Sequence, residues 1–147
     1  MRRALALLVV SVLAACGGSG GNRLSKTEYA SRANAICAQF NRQVAGFGGA
    51  ADLKALARLS DRTLPALEET TRKLRALRPP KDEEAIANEW LASLERLHAD
   101  VVRIRDRARA NDLRGVQRVV PGATKDNRRA DALANRLGAT ACSKNQA

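Results

Sequence analysis

A chain of 147 residues has room for one domain and excludes a second core. Its hydrophobic content is 45%, yet only Tyr29, Phe40, Phe47 and Trp90 are aromatic. Leu, Val, Ile and Ala must therefore fill the interior, which favours packed helices over a sheet. The formal charge is +11, carried by 20 Arg and 6 Lys against 15 acidic residues. An arginine skew of this kind follows from GC-rich codons without any demand for phosphate binding, so basicity is a weak pointer to an anionic partner such as a phospholipid surface or envelope polymer.

The chain opens with a positive Met1-Arg2-Arg3 segment, followed by an uncharged run from Ala4 to Ala15. That run fits the apolar region of a signal peptide and falls short of the roughly 20 apolar residues that span a membrane. Arg2-Arg3 lacks the flanking residues of a twin-arginine signal, so the general secretory route is expected. Leu13-Ala14-Ala15-Cys16 resembles the lipobox of bacterial lipoproteins: an apolar residue, two small residues, then cysteine. That resemblance implies diacylglycerol on the Cys16 thiol, cleavage before Cys16, and attachment to the membrane through lipid. Loss of residues 1–15 removes Arg2 and Arg3, so 24 basic and 15 acidic residues remain and the mature chain is still basic. Two or more acyl chains hold firmly where one holds marginally, since burial contributes about 0.8 kcal/mol per CH₂. Gly17-Gly18-Ser19-Gly20-Gly21-Asn22 then reads as a flexible tether. The expected organisation is signal peptide 1–15, lipidated cysteine and tether 16–23, and folded domain 24–147.

Within the domain, Ser25 and Glu28 have capping-box spacing, with Leu24 and Tyr29 at the staple positions. Tyr29, Ala33, Ile36, Cys37, Phe40, Val44 and Phe47 form one helical stripe, ended by Gly46, Gly48 and Gly49. A second stripe runs from Leu53 to Leu77 through Ser60, Thr63, Leu67 and Thr70. Pro65 inside it predicts a kink or a fresh start near Thr63, and Pro79-Pro80 stops it. The third helix is expected to open at Asp82-Glu83-Glu84, where acidic residues suit the helix dipole, and to run to a turn at Asn111-Asp112. The fourth stripe, Leu113, Val116, Val120, Ala123, Asn127, Ala130, Ala134 and Leu137, is interrupted at Pro121-Gly122 and capped by Gly138. Short connections make neighbouring helices antiparallel. The expected fold is all-α, an up-down-up-down four-helix bundle with kinks at Pro65 and Pro121.

With Cys16 lipidated, Cys37 and Cys142 remain in an oxidising compartment, and a disulfide between them would staple the first helix to the tail after the fourth. The competing reading is two separate buried thiols. The lipobox, the helix Tyr29-Ala30-Ser31-Arg32-Ala33-Asn34-Ala35-Ile36-Cys37 and the closing Leu137-Gly138 with Cys142 together resemble small exported helical proteins of high-GC Gram-positive bacteria. Only the lipobox is specific, and the resemblance implies no activity.

Candidate chemistry is sparse. Glu95-Arg96-Leu97-His98 has the Glu-x-x-His spacing of di-iron bundles, but such a centre needs two pairs, and His98 is the sole histidine. No metal site or cofactor is expected. Nucleophilic catalysis needs a base beside Ser, Thr or Cys, and no catalytic set is nominated. Glu68-Glu69 and Glu83-Glu84 suit solvated or N-terminal positions. Arg103, Arg105, Arg107 and Arg109, with Arg96, Arg114 and Arg118, read as a solvated face partly paired with Asp100 and Asp106. Without interleaved aromatics they do not suggest nucleic-acid binding.

Two functional readings result: a lipid-tethered interaction, accessory or ligand-binding module of the cell envelope, with a protein, an anionic polymer or a small apolar ligand as partner, and an envelope enzyme without a recognisable motif. Apolar stripes and the missing base favour the first. An apolar cavity with converging polar groups would reopen the choice. Replacing Cys16 with Ser should move the protein from the detergent to the aqueous phase in Triton partitioning and block cleavage before residue 16. Unchanged partitioning would remove the basis for a lipid anchor.

Overall fold

The computed structural model describes residues 23–143. The expected signal peptide, Cys16 and most of the tether lie outside the described residues. Four helices follow in order: α1 (Lys26–Ala45), α2 (Leu53–Ala76), α3 (Glu84–Arg109) and α4 (Leu113–Arg136). Short 3-10 turns occupy Lys81–Glu83 and Thr140–Cys142, and there is no strand among the described residues. Consecutive helices pack on one another as an up-down bundle, most extensively α3 on α4 and α2 on α3. None of the described helices is long and apolar enough to cross a membrane.

Local chemistry sets the ends. The Ser25 hydroxyl accepts the Glu28 N–H at 3.3 Å, and the Glu28 carboxylate accepts the Ser25 N–H at 3.0 Å, closing the capping box of α1. Leu24 packs against the core cluster that contains Tyr29. Asp52 and Asp112 cap α2 and α4 by accepting the N–H groups of Ala55 at 2.6 Å and Gly115 at 2.7 Å. A side chain at Gly115 would strike the Asp112 carboxylate, so glycine there lets the cap close. The acidic start expected for the third helix is split: Lys81–Glu83 forms the 3-10 turn and α3 begins at Glu84.

Neither proline ends its helix. Pro65 and Pro121 are exposed inside continuous α2 and α4, so the fresh start near Thr63 and the interruption at Pro121-Gly122 do not occur. On a solvent-facing side the carbonyl that loses its helical partner can be hydrated, which lets the ladder resume. The fourth stripe also needs correction at two positions. Leu113 and Val120 are 54% and 43% exposed, whereas Gly115, Val116, Ala123, Ala130, Leu133 and Ala134 are buried. α4 turns its small residues inward, and the bundle closes on them. Phe47, placed on the first stripe, lies beyond the end of α1.

The core is in two parts. At the end where α1 starts and α4 finishes, Tyr29, Ala33, Leu74, Trp90, Leu133 and Leu137 pack together with Cys37. At the opposite end, Ala57, Ala108 and Val116 form a smaller cluster with Leu53, Leu56 and Ile104 against it. Glu83, expected at a solvated or N-terminal position, stands just before α3, yet it is only 5% exposed and its carboxylate is held by Lys26. Burial, and secondarily that carboxylate, push the Tyr29 hydroxyl up to about 12. Asp100 is buried too, paired with Arg103 one turn on.

Cys37 and Cys142 are bonded, with Cα atoms 5.0 Å apart at a sequence separation of 105. The tail reaches Cys37, three turns into α1, because Gly138 takes a left-handed conformation (φ +72°) and reverses the chain past α4. Its Cβ position would lie 3.2 Å from the Ala30 Cβ, so a side chain there would meet both strain and crowding. The Asn34 amide donates to the Gly138 carbonyl at 3.0 Å and accepts the Ala141 N–H at 2.7 Å, while the Asn41 amide donates to the Ala141 carbonyl at 2.8 Å. Replacing Cys37 and Cys142 together by Ser should lower unfolding free energy by about 4 to 5 kcal/mol on the chain-entropy estimate for so long a loop. Urea denaturation followed by circular dichroism measures it. A loss below about 1 kcal/mol would mean that the asparagine contacts alone fasten the tail.

Candidate functional site

Between the two core clusters the helices leave a cavity of about 150 Å³. Each of the four helices supplies part of the wall. From α2 come Thr63, Leu67 and Thr70, and from α3 come Trp90, Leu94, Leu97 and Val101. Phe40 and Asn41 of α1 face Asn127, Ala130 and Asp131 of α4 across it, and the Cys37–Cys142 bond closes one side.

The polar groups differ in how far their needs are met. The Thr63 hydroxyl donates to the Leu59 carbonyl at 2.9 Å within its own helix. Asn41 is bound to the returning tail. Asp131 stands one turn beyond Asn127, so both share a face of α4. The Asn127 amide approaches the Asp131 carboxylate only loosely, at 3.4 Å. Asp131 is half-buried and has no ion pair among the described residues. Burial pushes its carboxyl up to about 6, because the apolar wall disfavours the charged form.

The other residues singled out from sequence are placed elsewhere. Glu95 and His98 line a separate groove on α2 and α3 with Glu68, Thr71, Arg72 and Arg75, and the Glu95 carboxylate is held by Arg75. Among the described residues, no three metal-ligating side chains gather. Glu69 binds Arg72 at 2.6 Å and Lys73 at 3.3 Å, and Glu84 binds Arg23 at 3.0 Å, so each glutamate pair has a member held by a cation. The arginine run is extensively neutralised: Arg103 pairs with Asp100, Arg105 with Asp106 at 2.8 Å, Arg107 with Asp112 at 3.2 Å, and Arg109 with Asp61 at 2.7 Å. Arg96 pairs with Asp126 at 3.2 Å, and Arg118 lies 3.9 Å from Asp112. Cys37 and Cys142 come together beside the cavity, and Cys16 is outside the described residues.

Sequence reasoning passed over Asp131, Asn34 and Asn41. Two spacings carried a signal: Asp131 follows Asn127, already on the inward stripe, by four residues, and Asn34, Cys37 and Asn41 recur at three and four. No protein-family model matches the chain, and neither a curated protein nor a solved structure is significantly similar to it.

The Asp131 environment has a measurable consequence. Its folded pKa lies above the ordinary value of 3.8, so the folded state binds this proton more tightly than the unfolded chain does. The associated stability is fully present below about pH 4 and is lost as pH rises to about 6. Asp131→Asn should therefore gain in melting temperature relative to the parent between pH 4 and pH 7. A difference independent of pH would mean that the carboxylate is solvated like any surface aspartate.

Proposed function

We propose that this chain is a lipid-anchored, extracytoplasmic binding module of the cell envelope, non-catalytic, whose ligand occupies the interior of the bundle. The cavity carries the binding part of this reading. A largely apolar chamber with a few polar groups on its wall is the ordinary form of a small-ligand site. It also meets the condition that reopens the choice between binding module and enzyme, and its chemistry favours the module. The Thr63 hydroxyl donates to a carbonyl of its own helix, and the wall holds no imidazole to activate it or Thr70, which supports the module over the enzyme. The address rests on Leu13-Ala14-Ala15-Cys16 and the Gly/Ser stretch after it, which would place the bundle a short tether away from a membrane.

An anionic polymer or nucleic acid is a poorer partner. The arginines that could have formed a continuous cationic face are largely spent on neighbouring carboxylates, and salt screens exposed charges lying more than about 8 to 10 Å apart.

Trp90 is the sole tryptophan and lines the cavity, so its emission reports on occupancy. For the full chain in lipid nanodiscs, toluene should perturb that emission saturably, and Val101→Phe, which places a ring in the chamber, should abolish the response while preserving the helical dichroism. A linear response in both proteins would show only partitioning into lipid, and the binding reading would fall.

A further inference from the structure

The distribution of carboxylates narrows the ligand further, given the binding reading above. All fifteen acidic side chains lie within the described residues. Ten are in ion pairs with Arg or Lys. Glu28 and Asp52 cap helices. Three remain: Glu68 and Asp82 are exposed to water, and Asp131 alone lines the interior cavity. In a chain with an excess of arginine, this is the one inward carboxylate that no cation of the described protein reaches.

A half-buried carboxylate beside an apolar wall is poorly solvated, and its charge is best compensated by a cation delivered with its own hydrocarbon surface. The chamber limits that surface. An apolar cavity of about 150 Å³ admits a body of roughly benzene size. Trp90 on the wall offers a broad apolar contact to such a body. We propose that the cavity takes a compact apolar amine, with its hydrocarbon body against Trp90, Leu94, Leu97 and Val101 and its ammonium on the Asp131 carboxylate. Asn127, on the same face of α4, offers its amide oxygen as a second acceptor.

No other titrating group faces this carboxylate from the lining. α1 contributes Phe40, Asn41 and the bonded Cys37, α2 and α3 contribute hydroxyl and apolar side chains, and the C-terminal turn contributes the bonded Cys142. Binding of the amine therefore follows the protonation of Asp131 itself, weakening below a pH of about 6.

The test compares benzylamine with benzyl alcohol, nearly equal in shape, on the full chain in lipid nanodiscs with Trp90 emission as the readout. At pH 7.5 benzylamine should bind at least about tenfold more tightly than the alcohol, as expected for a charge-assisted contact over a neutral one. In Asp131→Asn the two affinities should agree within about twofold while the helical dichroism is unchanged. Lowering the pH to 5 should weaken the amine and leave the alcohol unaffected in the parent protein. Equal affinities in the parent, or a preference that survives Asp131→Asn, would overturn the amine assignment while leaving an apolar binding site standing. Absence of saturable binding by benzylamine, benzyl alcohol and toluene alike would overturn the binding reading itself. Should Asp131→Asn lose its helical signal, Asp131→Glu replaces it: a displaced carboxylate should weaken the amine selectively, and an unchanged amine-to-alcohol ratio would reject the contact.

Discussion

The bond between Cys37 and Cys142 closes a loop that the helices alone would leave loosely shut. α3 is gripped on both sides, by α2 and by α4, while α1 rests mainly on α2 and on the turn after α4. That turn is held by a left-handed glycine, two asparagine side chains and one covalent link. Its position depends on all of them together: Gly138 aims the chain, Asn34 and Asn41 satisfy backbone groups that would otherwise be stranded against α1, and the cysteines fix the distance. Once the tail is seated, Leu137 and Ala139 are fully buried and complete the larger core cluster.

The same arrangement explains why there is a chamber at all. A bundle poor in aromatic residues must close on small side chains, and α4 does so with Gly115, Ala123, Ala130 and Ala134. Small residues let α4 approach α3, yet in the middle of the bundle α2 interleaves Thr63 and Thr70 with Leu67, and α4 presents Asn127, Ala130 and Asp131. Close packing is therefore reached at the two ends and relaxed between them. Shape and polarity share one origin in the composition of those stripes.

Much of the architecture was legible because it is written locally. A capping box, an Asp N-cap or a proline pair acts within one turn of its own residues, and helix number and connectivity follow from such signals. The cysteine pairing was legible by elimination together with topology. What the sequence concealed depends on which side of a helix faces inward after packing. Pro65 breaks nothing because it points to solvent, and the exposure of Leu113 and Val120 reflects a preference for close contact at Ala123 and Ala130 over burial of two larger side chains. Glu83 is inside because Lys26 of another helix neutralises it, a partner more than fifty residues away in the chain. Asp131 looked like one more charged residue on a helix rich in charge, and its distinctness is a matter of what its neighbours lack.

The covalent link also decides how the domain responds to mechanical load. A force applied through the segment before Leu24 enters α1 and meets Cys37 within three turns, then passes across the disulfide to Cys142 at the far end of the chain. Pulled between its termini, the described domain can pay out only the residues before Cys37 and after Cys142, roughly 50 Å of extended chain at about 3.5 Å per residue. The 105 residues of sequence separation between the bonded cysteines form a closed ring that carries no tension. The chamber, built almost wholly from residues inside that ring, is shielded from drag or traction along the chain as long as the bond stays oxidised.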